Sequence, residues 1–166
     1  MKQHIAYLAY VLRHKWFVFW ACLHLRVPFW IALAHDWTKF LPREWLPYVC
    51  QFYNKDGTKK PAIRDKTGAY DPATQPIEFQ AAWLSHQRNK HHWQAWVSLG
   101  DKGHLSALPI PCIYVREMVA DWIGAGAAQG KIDPWGWYAK NGDKMVLHLE
   151  TRSYLVGLLE TIEWAL

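Results

Sequence analysis

Cysteine is scarce in this chain: three residues in 166, at positions 22, 50 and 112, with no CxxC pair. An odd, widely separated set in apolar surroundings excludes a disulfide frame and reads as reduced core residues of a cytoplasmic protein. Internal repeats and low-complexity tracts are missing, so a packed globule is expected. A basic block is missing too. The formal charge of +5 comes from 19 Lys and Arg spread along the chain against 14 acids, whereas a nucleic-acid footprint gathers on one face. Nucleic acid is therefore not favoured, and a small phosphate-bearing ligand suits the charge. No apolar run is long and clean. Residues 16 to 34 come nearest, but His24, Arg26 and Pro28 interrupt them, and an ionisable residue in mid-bilayer is costly. The run also starts late and lacks a small-residue cleavage site, which argues against a signal peptide. A pair of buried helices and no membrane partner are expected. Strand signals are weak throughout, so the expected class is all-α.

What is present in excess is aromatic. The 12 Trp and 8 Tyr each bring a large apolar body and one polar atom. Core packing is the ordinary use of most of them, and lining a wet pocket is the other. With half its residues hydrophobic, the chain is read as one domain over 1–166 that buries about two thirds of its unfolded surface.

Residues 3 to about 23 predict a helix, with Tyr7, Val11, His14 and Val18 on one face. Val27-Pro28 breaks it, because the residue before proline leaves the helical region. A second helix is predicted from Pro28 to about Asp36. A tight turn at about residues 24 to 27 lies midway between His14 and His35, and would set them side by side. A short helix is expected from Pro42 to Tyr53, then a long loop over 54 to 75. A further helix is expected from Ile77 to about Asn89, opened by Pro76. Residues 98 to 110 read as irregular. Pro111 opens a helix to about Ala125, Asp133 to Asp143 reads as a loop, and a last helix spans roughly Thr151 to Trp164. Its core stripe is Leu155, Leu158, Leu159 and Ile162.

The chemistry concentrates in histidines and acids. His35-Asp36 follows His14 and precedes Asp121, and between them runs His86-Gln87-Arg88-Asn89-Lys90-His91-His92. Neutral imidazole and carboxylate are the ligands of first-row divalent metals. Neighbours on a helix point about 100° apart, so His35 and Asp36 reach one ion only by bending inward beside it. His86, Asn89 and Lys90 are expected on one helical face, with His91 and His92 in the following turn. Glu117 and Asp121 share a face and would repel without a cation or proton between them. Glu117 is either an orienter of a histidine or a general base. Arg88, Lys90, Arg116 and Arg152 are candidate phosphate clamps, although each type is more often an ordinary surface charge. Trp37 and Trp93 could stack on a base.

The order His … His-Asp … Asp resembles the HD-domain superfamily of metal-dependent phosphohydrolases. The resemblance implies an HD-like helical bundle in which His14, His35, Asp36 and Asp121 bind one metal. Extra histidines resembling a second ligand set are His86, His91 and His92, more tightly spaced than in that superfamily. His35-Asp36-Trp37-Thr38-Lys39 is similar to the HD-x-x-K pattern, which implies that Lys39 contacts substrate phosphate; a solvated lysine at a helix end is the alternative. One or two ions (Mn, Fe, Co, Ni or Zn, with Mg possible) and a nucleotide substrate follow. The set His-Lys near the start, HDWTKF, WLSHQRNKHH, EMVADW and LHLETR also looks like a family of small proteins of unknown function found mostly in phages and bacteria. The expected activity is hydrolysis of a nucleotide or related phosphate ester. Oxygenase chemistry at an iron pair, a non-catalytic nucleotide- or protein-binding phage accessory protein, and a single-stranded nucleic-acid binder are the alternatives.

Overall fold

The computed structural model describes residues 1–61 and 71–162, which are mostly helical. The helices in chain order are α1 (Lys2–His24), α2 (Phe29–Ala34), α3 (Pro42–Phe52), α4 (Ile77–His86), α5 (Cys112–Ala128), α6 (Pro134–Asn141) and α7 (Leu149–Thr161). None of them is long and apolar enough to cross a membrane.

α1 buries Tyr7, Val11, His14, Val18, Ala21 and Cys22, the three- and four-residue steps of one helical face. It packs along α5, and Gly124 sets how close the two helices come. A Cβ at that position would stand 2.8 Å from Val18 N and closer still to its side chain. After α1 the chain reverses. Arg26 takes a positive φ of 57°, Val27 N donates to Cys22 O at 2.8 Å, and Pro28 caps α2. This is the turn the proline predicts, and it brings the His14 and His35 rings to a centroid distance of 5.8 Å.

Two apolar clusters flank a polar seam. One joins Tyr7 and Val11 of α1 to Tyr48, Val49 and Phe79 of α3 and α4. The other joins Val18, Ala21 and Cys22 to Val115, Val119 and Ile123 of α5 and Leu155 of α7. His14 lies on the shared face of α1 between Val11 and Val18, so it sits where neither cluster fills the interior.

Several local expectations are corrected. α2 stops at Ala34, leaving His35 and Asp36 outside any α-helix. α4 ends at His86, so Asn89 and Lys90 belong to turns and share no helical face with it. Residues 98 to 110 contain an antiparallel hairpin, β1 (Val97–Leu99) with β2 (Leu105–Ala107), which Gly100 and Gly103 close. The segment from Asp133 carries α6, because Asp133 caps it through Gly136 N at 2.8 Å with Pro134 in the first turn. In α7, Leu155 and Leu159 are buried while Leu158 and Ile162 are half-buried. Residues 62–70 of the long loop, and the predicted end of the last helix at Trp164, lie outside the described residues.

Cys22 is buried as predicted, but Cys50 and Cys112 are exposed. The aromatics depart further from core packing. Trp16, Trp20, Trp30, Trp37 and Trp135 are exposed, and no tryptophan among the described residues is fully buried.

Candidate metal centre

The centre assembles where the chain leaves α2. Asp36 adopts a left-handed conformation (φ 55°, ψ 22°), which turns its carboxylate away from the direction a continuing helix would give. Aspartate tolerates this region better than most residues because its short polar side chain can bond locally. His35 therefore need not share a helical surface with Asp36, and the problem of two ligands about 100° apart disappears. Lys15 of α1 donates to the carbonyl of His35 and also to Leu33 O at 3.3 Å, which ties the end of α2 to α1.

Four side chains meet at one point. His14 Nε2 lies 3.1 Å from Asp121 Oδ1 and 3.4 Å from Asp36 Oδ2. His35 Nε2 lies 3.5 Å from Asp121 Oδ1 and 3.6 Å from Asp36 Oδ2. Ligand atoms about 2.1 Å from a common ion stand roughly 3.0 to 3.4 Å apart in octahedral or tetrahedral arrangement. The observed separations are of that size. A second set forms on the other oxygen of the same acid. Asp36 Oδ1 is 3.4 Å from His91 Nε2 and 3.7 Å from His86 Nε2, and His86 Nε2 is 3.0 Å from His92 Nε2. In each set one ligand atom per residue falls within 4.8 Å of the others. Asp36 is the member common to both.

Two glutamates fix the rings. Glu117 Oε1 accepts from His35 Nδ1 at 3.0 Å and lies 3.3 Å from His91 Nδ1. Glu44, wholly buried, accepts from His86 Nδ1 at 3.1 Å and from the Thr38 hydroxyl at 3.1 Å. Asn89 donates in turn to Thr38 Oγ1 at 3.1 Å. A histidine that donates from Nδ1 keeps its Nε2 lone pair for the centre. Glu117 thus stands behind two of the rings, the placement an orienting residue requires. Glu44 was not foreseen.

The electrostatics of the seam splits its groups into two classes. Burial alone would raise the Asp36 carboxyl, but Lys39, His35 and His86 hold it well below the usual range. Burial opposes ionisation of Asp121 as well, and the His14 and His35 imidazoles facing it overcome that. Burial pulls His86 and His92 down, keeping them neutral. His91 is pushed the other way, up to about 10, because Asp36 and Glu117 outweigh its burial.

The cations divide by role. Lys39 pairs directly with Asp36, so it is neither solvated nor idle. Lys90 is exposed, lies 5.4 Å over the Tyr114 ring and borders the centre. Arg88 is exposed and lines neither depression that reaches the centre. Arg116 donates to Tyr154 OH at 2.7 Å. Arg152 donates to Tyr138 OH and to the carbonyls of Gly142 and Met145. Those last two arginines are engaged in contacts within the fold.

The profile of a family of unknown function, DUF5662, matches residues 3–161, and the chain belongs to that family. No curated protein and no solved structure matches it. The HD-type likeness rests on the residue pattern alone.

Proposed function

We propose that this DUF5662 member is a metal-dependent phosphohydrolase acting on a phosphate ester, with nucleotides the first substrates to examine. One observation carries the reading. The buried Nε2 atoms of His14, His35 and His91, together with Asp36 Oδ1, make no hydrogen bond although they converge. Each such atom costs about 1–3 kcal/mol when left unpaired. The four fall two to each ligand set, His14 and His35 in one and Asp36 Oδ1 and His91 in the other, and a divalent cation in each set matches their chemistry.

His14, His35, Asp36 and Asp121 would hold one ion. Asp36 with His86, His91 and His92 would hold a second, Asp36 being the residue common to the two sets. Mixed imidazole and carboxylate donors suit Mn, Fe, Co, Ni or Zn better than Mg alone. Such an ion supplies Lewis acidity, lowering the pKa of water and polarising a phosphoryl oxygen. Glu44 and Glu117 keep the imidazoles turned inward. Lys39, a compact ammonium beside Asp36, is positioned to neutralise an anionic oxygen there, and Lys90 adds charge at the rim.

The test is elemental analysis of purified protein beside a nucleotide hydrolysis screen with added Mn, Co or Ni. One or two ions per chain with metal-stimulated release of phosphate or nucleoside are expected. Protein that takes up no metal overturns the reading. Tight metal binding without turnover on any phosphate ester replaces it with a non-catalytic binding protein.

A further inference from the structure

Two depressions reach the ligand cluster, and no residue lines both. The smaller, about 210 Å³, touches His35, Asp36, His91 and Glu117, with Trp37 and Lys90 at its edge. The larger, about 430 Å³, touches Asp121 and His92. Sites for small organic ligands run from about 300 to 1,000 Å³, so only the larger cleft has room for an organic group.

Its walls have a definite chemistry. Trp83, Trp93, Trp122 and Trp137 line it, all half-buried, and the Trp122 and Trp137 rings lie 4.6 Å apart at a 44° tilt. Aromatic faces of this kind stack on planar rings with little regard to sequence or substituent. Gln94 lines the same cleft, and its Oε1 is buried and accepts no hydrogen bond. A buried amide oxygen without a donor calls for an N–H or amino group on whatever fills the space. The exposed Lys131 and Lys140 stand on the rim.

We propose that the tryptophan-lined cleft seats a planar heteroaromatic ring bearing an N–H or amino donor for Gln94, with its attached phosphate directed to Asp121 and His92. The substrate class is then a nucleoside phosphate, entering on the Asp121 side rather than past Trp37. This assignment rests on the phosphohydrolase reading for the phosphate, but the ring seat does not.

Calorimetric titration of Mn-loaded protein tests it. The titrants are the four common ribonucleosides, their 5′-monophosphates and ribose 5-phosphate. The proteins are wild type, Gln94→Leu and Trp37→Ala, each with its metal content measured first. At least one nucleoside should bind saturably. Gln94→Leu should weaken that nucleoside and its monophosphate about 10-fold or more, the effect of losing one buried hydrogen bond, while ribose 5-phosphate is unchanged. Trp37→Ala should leave all three as in wild type. Gln94→Met, of matched length, repeats the test if the leucine variant melts early. Failure of every nucleoside to bind, wild-type affinity in the Gln94 variants, or loss in Trp37→Ala overturns the cleft assignment. If no variant takes up Mn, the phosphohydrolase reading fails separately, and nucleoside binding still decides the ring seat.

Discussion

The carboxylate of Glu44 lies 3.1 Å from Nδ1 of His86 and is wholly excluded from solvent. Since a carboxylate can only accept, the contact fixes the proton on Nδ1 and directs the Nε2 lone pair toward Asp36, 3.7 Å away. Thr38 and Asn89 extend the chain of bonds, so the second ligand set is held from behind by three elements that donate nothing to the centre itself.

Replacing Glu44 with Gln should therefore weaken metal uptake about 10- to 100-fold, the usual size of an orienting contact, with the size of the side chain kept. Glu44→Ala should in addition lower stability by about 2 kcal/mol by stranding the Thr38 hydroxyl and the His86 N–H. Manganese titration and urea unfolding separate the two. Full affinity in Glu44→Gln would mean that His86 needs no orientation.

The left-handed backbone at Asp36 makes alanine a poor probe there. Asp36→Ala should lose the metal and also about 1–2 kcal/mol from the strained φ. Both variants strand Lys39, but Asp36→Asn should lose the metal without the added backbone cost, because asparagine accepts that conformation. Elemental analysis and thermal melting on the pair check this. Wild-type metal content in Asp36→Asn would remove the residue from the ligand set.

Gly124 governs the spacing of α1 and α5. Gly124→Ala drives a methyl against Val18 and should cost about 1–3 kcal/mol, as overpacking does. It should also pull His14 from Asp121, so metal affinity falls along with the urea midpoint. A stable variant with reduced affinity, or the reverse, would show that packing and site are independent.

The three thiols should react unequally. Burial pushes the Cys22 thiol far above its ordinary value, which suppresses the reactive thiolate, whereas Cys50 and Cys112 are exposed. At pH 8 a chromogenic disulfide should label two thiols promptly and the third only in denaturant. Three fast reactions would place Cys22 at the surface.

Much of the centre was legible because it depends on spacing. The proline break fixed the turn, the turn paired His14 with His35, and the four-residue step carried Glu117 and Asp121 to the same face of α5. Glu44 was not legible. It occupies the first turn of α3, where an acid is ordinarily read as a solvated partner of the helix dipole, and only the packing of α4 against α3 buries it. The end of α4 is not legible because Gln87, Arg88 and Asn89 carry no proline or glycine stop; three-residue turn bonds, Arg88 N to Ser85 O and Asn89 N to His86 O, close the helix. The start of α6 did carry a signal in Asp133-Pro134, but Gly136 and the aromatics beside it weigh toward a loop. Tryptophan exposure has no periodic signature that separates a core stripe from a surface one.

Among the described residues, two with side chains take positive φ, Arg26 and Asp36, one at each end of the segment that carries α2. Both are held at a cost of about 1–2 kcal/mol that glycine would not incur, yet the two are not equally free to change. At the exposed position 26, glycine relieves the backbone and removes only a surface charge. At position 36 the same relief deletes a carboxylate that both ligand sets share. A laboratory search for hardier variants of this chain would accept glycine readily at the first position. At the second it would recover glycine only among proteins that had given up the centre, so the pair offers an internal gauge of whether selection in such a library is acting on durability or on use.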